Sequence, residues 1–341
     1  MSNALEKLGK ELKVEIECGK TVTQVQSDGV WVCDTKEPGK RDFIPADLIV
    51  INADLPYATK SILPNDQSPI REEPHFDWDD SFSYSSGVIS FHWSIDKPLE
   101  DLNSHNVFMI AGSRSQAEAS WRVLRTNQAN LDVDVPFNFY VHRASKTDPT
   151  AAPPGCDSIM VLVPCETLLR DEEFAKLNRD EAMARYKEQF SEDVISRARQ
   201  AVLKRLAAID SLQDLEQHIL DEVVDTPATW ADKFNLGAGS PFALVRNLID
   251  YITVLSAWLT TQRYCSAEQF DSHISFFDIS ISKSHGFSQL SLTRPGPASS
   301  GIPNVLFCGA SSRPGNGVPL VLIGAKQVAE KAARMLAKDN K

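Results

Sequence analysis

The chain has 341 residues, 42% of them apolar, which allows a sizeable core at about twice the usual domain length, so one large or two interleaved domains are expected. A net charge of −11 argues against a nucleic-acid partner, because phosphate-backbone affinity rests on clustered Lys and Arg that release counterions. Cys18, Cys33, Cys156, Cys165, Cys265 and Cys308 form no CxxC and sit far from any His at metal-ligand spacing, so no metal and no secreted disulfide framework are signalled.

Ser2 is placed to cap a first helix in which Leu5, Leu8 and Leu12 recur at helical spacing. This start has no apolar core of the signal-peptide kind. Strand-like pieces "VEIE", "TVTQVQ" and "GVWVC" follow, and "DLIVINADLPYATKSIL" reads as a buried strand entering a helix. Asn52 and Asp54 stand at that strand-to-helix turn, where capping is the ordinary role for both.

From Phe82 to Cys165 strands dominate: "FSYSSGVISFHWSI", "NVFMIAG", "FNFYVHR" and "SIMVLVPC", with a helix near Gln116 to Leu124 and a Pro-rich loop "SKTDPTAAPPG". A mixed sheet is implied. Asp171 to Glu222 has no Gly or Pro and carries Phe174, Leu177, Met183, Tyr186, Phe190, Ile195, Val202 and Leu206 at roughly helical spacing, which predicts two or three amphipathic helices. No window reaches the roughly 18 uninterrupted apolar residues of a membrane span, so membrane contact is expected to be peripheral.

At the C-terminal end, "NVLFCG" supplies a strand and Val318 to Lys338 a helix. Gly309, Gly315 and Gly317 surround Pro314 between them. Glycine lets backbone N–H groups approach a ligand closely, and a helix start adds unpaired donors and a positive dipole end, so an anion or a ring that becomes anionic fits there. The spacing is not G-x-G-x-x-G, and by itself it equally describes a structural turn.

The segment "LFCGASSRPGNGVPLVLIGAKQVAEK" resembles the C-terminal flavin-binding signature of the carotenoid desaturase family, the bacterial and fungal kind of phytoene desaturases among the amine-oxidase-like flavoproteins. Further blocks match in the same order: "DLIVINADLPYATKSILP", "YVHRASKTDPTAAPPG" with "VLVP", "TPATWADKFNLGAGSPFAL" and "SHGFSQLSLTRP". Where the family has Thr-His-Pro or Thr-Arg-Pro, this chain has Ser312, Arg313 and Pro314, so the hydroxyl is kept.

The resemblance implies FAD as cofactor, with NAD a further acceptor, and a C40 carotenoid as substrate. The implied flavin-contacting residues are Gly309, Ala310, Ser311, Arg313, Pro314, Gly315, Gly317, Val318 and Pro319. His285, Gln289 and Arg294 in "SHGFSQLSLTRP" are the candidate catalytic residues beside the ring, His285 as proton acceptor by virtue of its ordinary pKa near 6.5. The implied reaction is hydride transfer from an allylic CH2 to flavin with proton loss from the neighbouring carbon, in a membrane-associated, intracellular protein. An isomerase of the same superfamily and a non-catalytic membrane-associated remnant are the alternatives.

Two features depart from the family. Its N-terminal strand and G-x-G-x-x-G, which hold the FAD pyrophosphate, have no counterpart here, so the chain is expected to be an incomplete version that binds FAD poorly. Val245 to Lys283 interrupts two blocks that the family joins almost directly; it contains no Gly or Pro and is rich in residues with T-rich codons. Val245 and Arg246 can be encoded as a splice donor and Lys283 as an acceptor, so the insert reads as a retained, translated intron.

The fold expected is α/β: a partial, two-domain FAD-binding flavoprotein fold with a mixed-sheet and helical substrate domain. The expected division is 1–60 as the remnant of the flavin domain, 61–244 as the substrate and membrane-associating domain, 245–283 as the insert, and 284–341 as the C-terminal flavin segment.

Overall fold

In the computed structural model, residues 2–63, 82–84, 87–108, 138–168, 177, 179–241, 244–246, 294–298 and 300–339 are described. They form two units, Met1–Trp78 with Pro295–Lys341, and Asp79–Arg294. The helix expected near Gln116, and the insert beyond Arg246, lie outside the described residues.

The first unit opens with α1 (Ser2–Glu11), in which Lys10 Nζ pairs with Glu6 at 2.5 Å one helical turn away. Ser2 lies inside this helix rather than ahead of it. Val14 N–H donates to the Gly9 carbonyl at 2.8 Å, closing the helix after Lys13 at φ 60. "VEIE" forms no strand: Val14 and Ile16 pair with none of the described residues and stay exposed.

β1 (Lys20–Gln26), β2 (Gly29–Asp34) and β3 (Arg41–Pro45) make an antiparallel meander. Trp31 and Phe43 stand opposite each other across β2 and β3, ring centroids 5.2 Å apart, a cross-strand pair of the kind that stabilises sheets. β4 (Ile49–Ile51) runs into α2 (Leu55–Tyr57), which continues as a π-type turn to Ile62.

In the second unit β5 (Phe82–Tyr84) pairs with a distant short strand. β6 (Gly87–Ile95), β7 (His105–Phe108), β8 (Phe139–Arg143) and β9 (Asp157–Cys165) belong to one sheet. β6 and β9 pair over all nine residues, from Gly87 opposite Cys165 to Ile95 opposite Asp157. α3 (Arg179–Gln189) and α4 (Glu192–Leu206) follow, then β10 (Ile219–Asp225), α5 (Pro227–Phe234) and β11 (Leu244–Arg246), the partner of β5.

The order is β10-β6-β9-β8-β7. The expected mixed sheet is antiparallel in all its described pairings. Strict alternation along β9 turns Ile159, Val161 and Val163 toward the core. There they join Ile89, Phe91 and Trp93 of β6 and the helical seam Ala198, Ala201, Val202 and Leu206 of α4, whose spacing is that of one helix face.

The predicted helical run to Glu222 stops at Leu206; the chain then makes short 3-10 turns and enters β10. Trp93 Nε1 donates to Glu222 at 2.5 Å, and Arg199 Nε donates to the same carboxylate at 2.9 Å, joining α4 to the edge strand. α5 starts at a capping box in which Thr226 and Thr229 bond reciprocally.

The chain then returns to the first unit. β12 (Val305–Phe307) lies parallel to β4, Val305 opposite Ile49 and Phe307 opposite Ile51. All three β12 residues are buried and apolar, the pattern of a parallel strand covered on both faces. α6 (Val318–Asp339) completes the unit.

Candidate functional site

β4 and β12 point the same way, so the turns after Ile51 and Phe307 leave from one carboxyl end of a parallel pair. In α/β sheets that end is where ligands bind, because successive crossovers open a crevice there. Cys308 N–H donates to the Ile51 carbonyl at 2.9 Å, which carries the pairing one residue past the strand.

Glycine is required at the next position. Gly309 has φ +99 and is buried, and a Cβ there would overlap the Asn52 side-chain oxygen. Ser312 N–H closes back on the Gly309 carbonyl at 3.1 Å, and Arg313 N–H donates to the Pro295 carbonyl at 3.0 Å. Ser311 Oγ donates to Asp54 Oδ1 at 2.5 Å, both residues buried.

Asp54 therefore does not cap α2, contrary to the ordinary reading of its position: it makes no side-chain cap bond. A cap side chain accepts from the second or third helical N–H; Pro56 at the second position has none, and the Asp54 carboxylate accepts from Ser311. Asn52 likewise lies against Gly309.

The peptide Arg313–Pro314 is cis, and Gly315 and Gly317 follow at φ +134 and +102. Gly317 is exposed, and a Cβ on it would meet nothing within 4 Å. Val321 N–H donates to the Gly317 carbonyl at 2.9 Å, the first bond of α6. At Gly324, in contrast, a Cβ would come within 3.0 Å of Pro314, so this glycine lets the helix pack on the turn it follows.

Ahead of that first bond, the amides of the opening turn of α6 have no intrahelical carbonyl to reach and carry the positive end of the helix dipole. Val318, Leu322 and Ile323 stand exposed on the same turns. The arrangement offers backbone donors and a positive dipole beside an apolar rim, which suits a flat, largely apolar group that takes on negative charge.

Of the predicted cofactor residues, Gly309, Ser311 and Gly315 are buried, Ala310 and Pro314 half-buried, and Arg313, Gly317, Val318 and Pro319 exposed. Arg294 is 1% exposed, and burial pulls its pKa down to about 10, which leaves it charged at neutral pH. It directly precedes Pro295, whose carbonyl accepts from the turn. His285 and Gln289 lie outside the described residues. Among the described residues no three His, Cys, Asp or Glu groups are placed to hold a metal ion.

Sequence reading did not find the Asp54–Ser311 bond or the role of Gly324. The first joins residues 257 positions apart, so no local pattern reports it. The second had a signal, a glycine inside an otherwise helical run.

The architecture defines a mixed α/β protein with a glycine-rich crossover at the carboxyl end of a parallel pair. No family model matches the chain. Individual proteins narrow the class: the chain is 30% identical, over 96% of its length, to 46% of a phytoene desaturase from Neurospora crassa. It is 30% identical over 94% of its length to 45% of a phytoene desaturase from Fusarium fujikuroi. Among solved structures, an oxidoreductase from Methanosarcina mazei matches 96% of the chain and 53% of its own, with 15% identity and a TM-score of 0.47. In sequence the chain is a partial relative of the carotenoid desaturases, and it spans about half the length of the curated relatives it matches.

Proposed function

We propose that this chain carries part of an FAD-dependent desaturase that introduces double bonds into a C40 carotenoid such as phytoene. The observation that carries the reading is the relationship to phytoene desaturases along nearly the whole chain, and the parallel pair with its open glycine-rich crossover supports it.

The described residues fit a flavin. Gly317, exposed at φ +102, precedes the first turn of α6, whose start carries the positive end of the helix dipole. Gly315, Gly317, Val318 and Pro319 would hold the ring, with Gly309 and Ser311 fixing the base of the turn. Bound there, FAD supplies the hydride acceptor.

The polypeptide's share is binding, orientation and water exclusion. Val318, Leu322 and Ile323 offer an apolar approach for a hydrocarbon. Arg294, buried and charged, and Gln289 are further candidate catalytic residues, and His285 would take the proton released from carbon. NAD remains a further acceptor for the electrons. No helix among the described residues is long and apolar enough to cross a membrane; peripheral contact with a bilayer is the proposed route to a lipid-soluble substrate.

The test has two arms. The purified chain is titrated with FAD, following quenching of flavin fluorescence. The chain is also produced in phytoene-accumulating cells, alone and joined behind the N-terminal half of the Neurospora relative, and pigment spectra are recorded. Conjugated polyenes in the extended form support desaturation. A folded, flavin-loaded extended form in colourless cells defeats it.

A further inference from the structure

We infer that Asp54 is a positioning residue for the glycine-rich crossover: through the Ser311 hydroxyl its carboxylate fixes the base of the turn that presents the α6 amides. The inference rests on the flavin reading for the ligand that the turn serves.

Asp54 stands at the N-terminus of α2 but makes no side-chain cap bond there. The helix closes instead through its backbone, Ala58 N–H donating to the Asp54 carbonyl at 2.8 Å. Its carboxylate is buried, and a buried carboxylate is costly unless hydrogen-bonded. It accepts from Ser311, itself 4% exposed. The Asp54 carboxylate thus ties its own crossover to the other one.

The turn is held on its other side as well, since Arg313 N–H and, at 3.4 Å, Ser312 Oγ both donate to the Pro295 carbonyl. Gly309 is seated against Asn52 by close backbone approach. Residues 309–313 are therefore clamped between the β4 crossover and the 295 segment, while Gly317, at the tip, faces open space. A rigid base under an open tip is what preorganised donor groups need, because the amides then pay no ordering cost when the ligand arrives.

Hydrogen exchange followed by mass spectrometry tests this on the full chain, without requiring turnover. In D54A and in S311A, amides of 309–313 should exchange about tenfold faster, the effect of one lost buried hydrogen bond, while amides of β6 and β9 keep their rates. The double variant should be no faster than either single one. D54N retains an acceptor oxygen and should restore most of the protection. Should D54A fail to fold, S311A, which removes a single hydroxyl, decides alone. Wild-type rates in S311A, or additive effects in the double variant, overturn the inference.

Repeating the exchange with saturating FAD separates the two readings. FAD should slow exchange at 315–321 in the wild type and require a several-fold higher concentration to do so in S311A. Equal FAD dependence in both removes the positioning role. Absence of protection in the wild type, with the variant pattern as expected, sinks the flavin reading and leaves Asp54 as the anchor of a turn that serves some other ligand.

Discussion

The two units solve the burial problem differently. In Asp79–Arg294 two nine-residue strands pair along their full length, and helix α4 seals one sheet face, so Phe91, Ile95, Val161 and Leu206 are fully buried. In the other unit a two-stranded parallel ladder of three residues per strand carries the site, while Leu5, Leu8, Leu12, Val50, Val318, Leu322 and Ile323 stand exposed. Parallel strands are ordinarily covered on both faces and continued by further strands. Both units bury apolar side chains of their own, Leu55, Val305 and Phe307 in the smaller one, but the described parallel ladder that carries the candidate site is far shorter than the antiparallel sheet of the larger.

The sharpest way to break this contrast is to cut into the larger core. Phe91→Ala should cost about 3–5 kcal/mol, measured by urea unfolding with a probe in each unit, and the loss should appear in the Asp79–Arg294 unit. An equal effect from Val50→Ala, whose side chain is exposed, would abolish the distinction; a change within about 0.5 kcal/mol is expected there.

Next in size is the buried ion pair beneath the β8–β9 end. Asp157 accepts from Leu99 N–H at 2.6 Å and from Arg143 at 2.9 and 3.1 Å, and also from Ser145. Asp157→Ala leaves Arg143 buried without this partner and should cost about 3–5 kcal/mol. Burial alone would raise the Asp157 carboxyl, but the bonds from Ser145, Arg143 and Leu99, with the Arg143 charge, outweigh it and hold the pKa below the usual range. Its contribution is therefore complete above the unfolded value of about 4 and is lost as pH falls through the lower folded value. Acid unfolding of wild type and variant should converge at low pH; parallel curves would show that the carboxylate is not responsible.

The smaller unit should respond to a change that adds one methyl. Gly309→Ala meets both a left-handed φ of +99 and the Asn52 oxygen, and a cost of about 1–3 kcal/mol is expected, confined to the first unit and accompanied by loss of FAD quenching. Intact flavin binding in this variant would place the cofactor elsewhere.

The smallest effect expected is at the surface of the larger unit. His218 bonds to Asp96 at 2.6 Å and to Asp214 at 3.0 Å, and these carboxylates, Asp96 first, raise its pKa. Its share of stability is complete below about pH 6.5 and fades as pH rises through the raised folded value. His218→Ala should flatten a shallow decline of melting temperature as pH rises above about 6.5; an unchanged slope would assign that decline to other groups.

Much of this architecture was legible residue by residue. The apolar runs "GVISFHWSI" and "SIMVLVPC" marked β6 and β9, Ile195, Val202 and Leu206 at helical spacing marked α4, and "NVLFCG" followed by glycines marked the crossover into α6. Each is an apolar run, a pattern of period 3.6 or a point of backbone freedom, and such patterns are local. "VEIE" alternates like a strand yet forms none, because a strand needs a partner and none of the described residues pairs with it. The helical pattern up to Glu222 was wrong past Leu206 because Leu212 and Leu215, though buried, sit on 3-10 turns that feed an edge strand.

By itself, then, the sequence determined which segments carry apolar faces and where the backbone must turn sharply at glycine. The tertiary structure alone decided that β4 lies beside β12, that Gly309 must admit Asn52, and that the Asp54 carboxylate bonds a serine 257 residues away. The physical reason is range: periodicity and φ preference act over a few residues, whereas strand pairing and a buried hydrogen bond join whatever the folded chain brings within about 3 Å.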